Sequence, residues 1–202
     1  RLRLAIEKAK AGNMPKDILE RAIKKGSGEL EGVDFTEMRY EGYGPAGTAF
    51  IVEAVTDNKN RTASEMRMTF SRKDGNLGAD GAVSWMFKKK GIITVKSEGI
   101  DMDEFMMAAL EAGAEDVEET DGVFEVTTEY TEFQTVLENL KNAGYQYEDA
   151  EITMIPENTV EITDLETAKK VMALYDALED LDDSQNVYSN FDISDEILEQ
   201  LD

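Results

Sequence analysis

The stretch Thr56–Arg67, TDNKNRTASEMR, places two amides and two cations between an apolar run and a helical pattern. At a helix start the first backbone N–H groups lack intrahelical acceptors, and together with the helix dipole they favour an anion. Lys59 and Arg61 add positive charge, and Asn58 and Asn60 add donors that need no deprotonation. A phosphate of a nucleic-acid backbone suits this chemistry. The same residues also fit a plainer arrangement, in which the amides stabilise a turn and the cations are solvated. No glycine-rich phosphate motif accompanies the loop.

A second group of cations lies in residues 1–26, which hold eight Lys/Arg against three Asp/Glu. Arg1, Arg3, Lys8 and Lys10 fall off the apolar stripe of a first helix. Lys16, Arg21, Lys24 and Lys25 fall off the Ile18/Leu19/Ala22/Ile23 stripe of a second. This density fits either a solvated helix face or nucleic-acid contact. Such contact would read the phosphate backbone rather than the bases, because ammonium charges carry little base information. Tyr40 and Tyr43, in RYEGYGPAG, could stack on bases from a sheet. A hairpin or core role is the expectation for them, and a core role for Trp85 and Phe87.

Enzyme chemistry finds little support. Zero cysteine removes thiolate nucleophiles, thiolate metal sites and disulfides, and zero histidine removes the commonest general base. No P-loop, GxGxxG, HExxH or nucleophile motif occurs. The run Glu179–Asp183, EDLDD, could offer oxygens to Mg²⁺ or Ca²⁺ but lacks the spacing of a calcium loop. The acidic segment Ala114–Asp121 reads as a solvated hairpin edge whose charges discourage edge-to-edge pairing. The expectation is a protein that is not an enzyme and has no cofactor and no metal.

Net charge, −23 overall, is unevenly spread. Residues 57–91 hold eight Lys/Arg against four Asp/Glu, whereas residues 92–202 hold four against thirty-one. A polyanion is therefore attracted by the first part and repelled by the second. An apolar fraction of 41% supports packed cores. No membrane-length apolar run or signal peptide is visible, and the cysteine-free composition fits the cytoplasm.

These residues need elements to hold them. Residues 1–11 and MPKDILERAIKKG read as two helices, with Pro15 at the first helical position and Gly26 as a left-handed stop. The first has no capping residue ahead of Arg1, so further chain is expected before it. Gly26–Asp34 reads as a linker. TAFIVEAVT is a buried strand, Thr62-x-x-Glu65 is a capping box that predicts a helix start, and AVSWMF is a strand closed by KKKG. Then follow a strand, a helix with Phe105, Met106, Ala109 and Leu110 inward, a hairpin at Asp121-Gly122, a helix and a strand. That is the β-α-β-β-α-β order of a ferredoxin-like unit. A strand, a helix capped by Asp164 and a last strand complete the chain. The expected fold is α+β: a truncated N-terminal helical domain (1–30) and two ferredoxin-like α+β domains. The second (91–156) is inserted in the first (35–90 and 157–202).

In order along the whole chain, RYEGYGPAG, TDNKNRTASEMR, GAVSWMF, ALEAGAED and LEDLDDSQNVYSNFD resemble the YebC/PmpR family. That family includes the mitochondrial translational activator of cytochrome c oxidase. The resemblance implies a helical domain plus two α+β domains. It also implies a role as a DNA-binding transcriptional regulator or as a ribosome-associated translation factor that relieves stalling. The family's basic, Trp-containing leader is not in this sequence. The expected partner is nucleic acid, either DNA or ribosomal RNA in the ribosome; the sequence leaves the oligomeric state open, with a monomer slightly favoured. An acidic module that docks on a basic protein is the remaining alternative.

Overall fold

The computed structural model describes residues 2–12, 14–27 and 34–200. In chain order the elements are α1 (Leu2–Ala11), α2 (Lys16–Gly26), β1 (Thr36–Tyr43), β2 (Ala49–Thr56), α3 (Lys59–Arg72) and β3 (Asn76–Leu77). Then come β4 (Phe87–Lys96), α4 (Met102–Ala112), β5 (Asp116–Thr120), β6 (Val123–Glu129), α5 (Phe133–Asn142) and β7 (Tyr147–Pro156). Last are β8 (Val160–Ile162), α6 (Leu165–Glu179), β9 (Ser184–Ser189), β10 (Phe191–Ile193) and α7 (Asp195–Leu198). The chain divides into two compact units, residues 1–86 with 158–202, and residues 87–157. The fold class is α+β with antiparallel four-stranded sheets.

In the discontinuous unit the sheet order is β3-β1-β2-β9, and β2, α3 and β3 form a split β-α-β around β1. Phe50, Met66, Phe70, Leu174 and Leu178 are fully buried between the sheet, α3 and α6. Each such side chain contributes about 1.5–3 kcal/mol by leaving water. Gly42 is required here: a Cβ would stand 2.7 Å from both Asn76 O and the Phe70 ring, so β1 could not press against α3 and β3. Asn190 breaks the last strand in two. Its buried Oδ1 accepts from Ala49 N–H at 2.7 Å, and its carbonyl accepts from Val160 N–H at 2.7 Å, redirecting β10 to pair in parallel with β8.

The second unit has the sheet order β5-β6-β4-β7, with α4 and α5 packed on it. Asp121 and Gly122 both have positive φ, 51° and 81°, as a two-residue hairpin of the primed type requires. Phe105 stacks on Phe124 with ring centroids 4.5 Å apart and meets Tyr145 edge-on. β4 begins at Phe87 and pairs with β7 from Pro156 onward, so Lys88–Lys90 lie inside the strand instead of ending one. Lys90 is held there by Glu115 and Glu129, which resolves the charge that had read as a strand stop.

Several local expectations are corrected. α3 starts at Lys59, not at Thr62, because Asn58 takes the capping role and Thr62 is buried within the first turn. Ser84–Met86 forms a 3-10 turn instead of a strand. Leu110 is half exposed, and Ala112 takes the buried place on α4. α2 ends on Ser27 in right-handed conformation, with no left-handed glycine. The middle of the expected linker, residues 28–33, lies outside the described residues.

Candidate nucleic-acid interface

The buried strand β2 ends at Thr56 and the chain turns at once into α3. Asn58 sets the turn: its N–H donates to Thr56 Oγ1 at 2.8 Å and its Oδ1 accepts from Arg61 N–H at 3.1 Å. One of the otherwise unsatisfied first-turn amides is thereby used internally, an arrangement worth about 1 kcal/mol to the helix. Thr62 Oγ1 lies 2.7 Å from Thr56 Oγ1 and donates to Asp183 Oδ2 at 2.6 Å. Asp183, from the turn before β9, is thus drawn to the start of α3, where its own carbonyl accepts from Val55 N–H at 2.8 Å.

Arg61 is spent on carboxylates. Its Nη2 donates to Asp183 at 2.8 and 3.0 Å and to Asp57 at 3.0 Å. The Asp183 hydrogen bond, joined by Asp57, holds the guanidinium pKa above its ordinary value. Burial works against charge on Asp183, but the donors Arg61, Thr62 and Thr56 outweigh it and keep its carboxyl below the usual range. Lys59 and Asn60 are exposed, and Asn60 O accepts from Ser64 Oγ at 2.8 Å. The structure therefore brings Asn58, Lys59, Asn60 and Arg61 together at one helix start, with Asn58 committed to the cap and Arg61 to an ion-pair cluster.

On the two N-terminal helices, Lys8, Lys10, Lys16, Arg21 and Lys24 are all exposed. Lys16 makes an i,i+4 pair with Glu20 at 3.8 Å, with both side chains largely in water. Such a pair is worth only a few tenths of a kcal/mol and leaves the ammonium accessible. Leu19 and Ile23 are half buried while Ile18 stays 50% exposed, so the stripe is only partly covered. Arg1 and the side chains of Arg3 and Lys25 lie outside the described residues.

β1 carries a feature the sequence did not disclose. Tyr40 and Glu41 are both buried, at 8% and 1% exposure, so both faces of the strand are covered at this point. Burial raises the Glu41 pKa, but its hydrogen bonds with the backbone of Val83, Ser84 and Gly81 dominate and bring it below the ordinary value. Glu41 Oε2 accepts from Val83 N–H at 2.9 Å and Ser84 N–H at 2.8 Å, while Oε1 faces Arg39 Nε at 3.3 Å. Tyr43 O–H donates to Ala82 O at 3.1 Å. Together these groups fix the loop 78–86. Val83 is fully buried at its centre, and Trp85 is 68% exposed at its end. Trp85 is therefore not core, whereas Phe87 is. An apolar-strand pattern hid this, because Ala82, Val83 and Phe87 are apolar for packing reasons and Trp85 is carried among them.

Among the described residues no group of three or more Asp and Glu side chains is placed to hold a metal ion. No described helix is long and apolar enough to cross a membrane.

Comparison with known proteins bears on the same residues. A probable transcriptional regulatory protein of Fusobacterium nucleatum is 95% identical over 202 residues, covering all of this chain and 81% of the relative. A similarly named protein of Geobacter sulfurreducens is 55% identical over 201 residues, covering 100% of this chain and 81% of the relative. The crystal structure of a conserved hypothetical protein from Aquifex aeolicus superposes with a TM-score of 0.86 at 51% identity, over 97% of this chain and 81% of that one. The family model described as TACO1/YebC second and third domain matches residues 35–191, and the TACO1/YebC protein N-terminal domain matches residues 1–29. Those two matches in sequence order, spanning the helix pair and both α+β units, place this chain in the TACO1/YebC family.

Proposed function

We propose that the protein is a non-enzymatic, nucleic-acid-binding regulator of gene expression that works in the cytoplasm and grips the phosphate backbone. One observation carries this reading: the exposed cations Lys8, Lys10, Lys16, Arg21 and Lys24 crowd two short helices in a chain whose residues 92–202 are strongly acidic. Lys59, exposed at the start of α3, adds a further contact. The names of the relatives, probable transcriptional regulatory proteins, support a regulatory role. Lys-rich contact of this kind positions a duplex or a folded RNA without choosing its sequence.

A ribosome-associated translation role is the second reading, and the acidic remainder favours it. A carboxylate-rich body is repelled by bare DNA but tolerated by an RNA particle that also displays basic proteins.

The test uses the whole chain and labelled duplex DNA, structured RNA and ribosomes, with affinity measured against salt. Charge reversal of Lys10, Lys16, Arg21 and Lys24 should abolish binding, and the logarithm of affinity should fall linearly with that of salt. Salt-independent binding, or binding that survives the reversal, overturns the reading. Crosslinking in cells, with the bound nucleic acid sequenced, separates promoter DNA from ribosomal RNA.

A further inference from the structure

The loop 78–86 is built to present an aromatic ring. Trp85 is 68% exposed, the highest among the exposed large apolar side chains of the described residues. Its indole N–H donates to Ala82 O at 3.1 Å, so the polar edge of the ring is already satisfied and its orientation is set. The same carbonyl receives the Tyr43 hydroxyl, and Glu41 holds the next two amides. Keeping a carboxylate buried is costly unless its partners compensate. Here the compensating partners are the backbone of this one loop and Arg39, whose side chain is half exposed. An exposed tryptophan on a free loop would fold down onto nearby apolar surface; this one is tied so that it does not.

We propose that Trp85 is a stacking platform for one unpaired nucleobase of a single-stranded nucleic acid. The proposal deepens the nucleic-acid reading above and rests on it. Two features select a base over an apolar peptide. The unit that carries the ring also exposes Lys59, Arg67, Arg72 and Lys73 on and just after α3, cations that can hold a nucleic-acid backbone. The indole N–H is already used, which leaves π-faces as the main contact, and every base offers a π-face. A fully paired duplex offers no such face except at its ends.

The chain holds one tryptophan, so its emission reports on this site alone. The experiment titrates this 202-residue chain with fluorescein-labelled twelve-nucleotide oligo(U), oligo(dT) and a blunt twelve-base-pair duplex. It reads oligonucleotide anisotropy and Trp85 emission separately. Single strands should quench Trp85 as they bind, and the duplex should bind with little quenching. Trp85→Ala should weaken single-strand binding about fivefold or more, and Trp85→Phe should restore most of it. Glu41→Gln, which leaves the ring in place but loosens its mount, should weaken it to an intermediate degree. Binding by anisotropy without quenching, with Trp85→Ala unchanged, overturns the platform and leaves the nucleic-acid reading standing. No binding of any oligonucleotide or ribosome overturns both. Quenching by an apolar peptide but not by oligonucleotides overturns the platform in favour of a protein partner.

Discussion

Two loops of the discontinuous unit are anchored by one carboxylate each, and the outcomes are opposite. At the start of α3, Asp183 binds Arg61 and Thr62, and the cation that sequence offered to a phosphate is drawn into an internal cluster. At residues 78–86, Glu41 holds backbone N–H groups of the loop through Oε2 while Oε1 pairs with Arg39 of its own strand, and the loop side chain that sequence assigned to the core is left in solvent. An acidic anchor that recruits side chains consumes the functional groups beside it. One that recruits backbone frees them. In a chain so rich in carboxylates, the availability of a cation depends on its neighbours more than on its own charge.

The largest expected effect follows from removing the backbone-binding anchor. Glu41→Ala leaves two amides without their acceptor inside the protein, and should lower unfolding stability by about 3 kcal/mol, read as a shift in denaturant midpoint. An unchanged midpoint would mean water replaces the carboxylate and that the loop is not clamped. Asp183→Asn should cost less, about 1 to 2 kcal/mol, since the amide keeps one acceptor for Thr62. It should also release Arg61 and raise affinity for labelled RNA at low salt. If affinity stays flat, Arg61 lies off the binding path. Lys59→Ala should lower the slope of log affinity against log salt by about one, while Arg61→Ala in the intact cluster leaves that slope nearly as it was. Equal effects from the two would erase the distinction drawn above.

The smallest effect is on acidification. Both anchors have carboxyl groups held below their ordinary values, 4.5 for Glu41 and 3.8 for Asp183. A depressed value means that the stabilising contribution is complete above the unfolded-state value and is lost as pH falls through the folded-state one. Trp85 emission should therefore be constant from neutral pH down to about 4.5 and change only below it. A transition near pH 6 would implicate a different group.

Much of the second unit was legible because local signals agree with the final structure. Asp121-Gly122 adopts the positive φ pair its hairpin needs, and Gly113 and Gly144 have φ of 106° and 96° just beyond their helices. In the discontinuous unit the same holds for Asp164, which caps α6 as its position suggests, accepting from Thr167 N–H at 2.8 Å. The start of α3 was less legible because Asn58 and Thr62 are both competent caps, and only the arrival of Asp183 settles which is buried. The settings of Arg61 and Trp85 are hidden for the same reason. Their surroundings are set by residues distant in sequence, 122 positions away for Arg61, and no periodicity carries that information.

Gly91 shows how little tolerance the second unit has: a Cβ there would stand 2.3 Å from the Phe133 ring, so α5 seats on β4 only over a bare backbone. The division of the chain into one continuous and one interrupted unit bears on synthesis as well. Residues 87–157 hold every strand of their sheet and can close as soon as they leave the exit tunnel. The interrupted unit must wait for β9, which covers the outer edge of β2 and is the last strand of that sheet to be made. Until then β2 is an open edge able to template the wrong neighbour. Chains truncated after residue 157 and released should accordingly display one protease-resistant body and one vulnerable stretch, and residues 158–202, which supply α6 and β9, are what convert the second into the first.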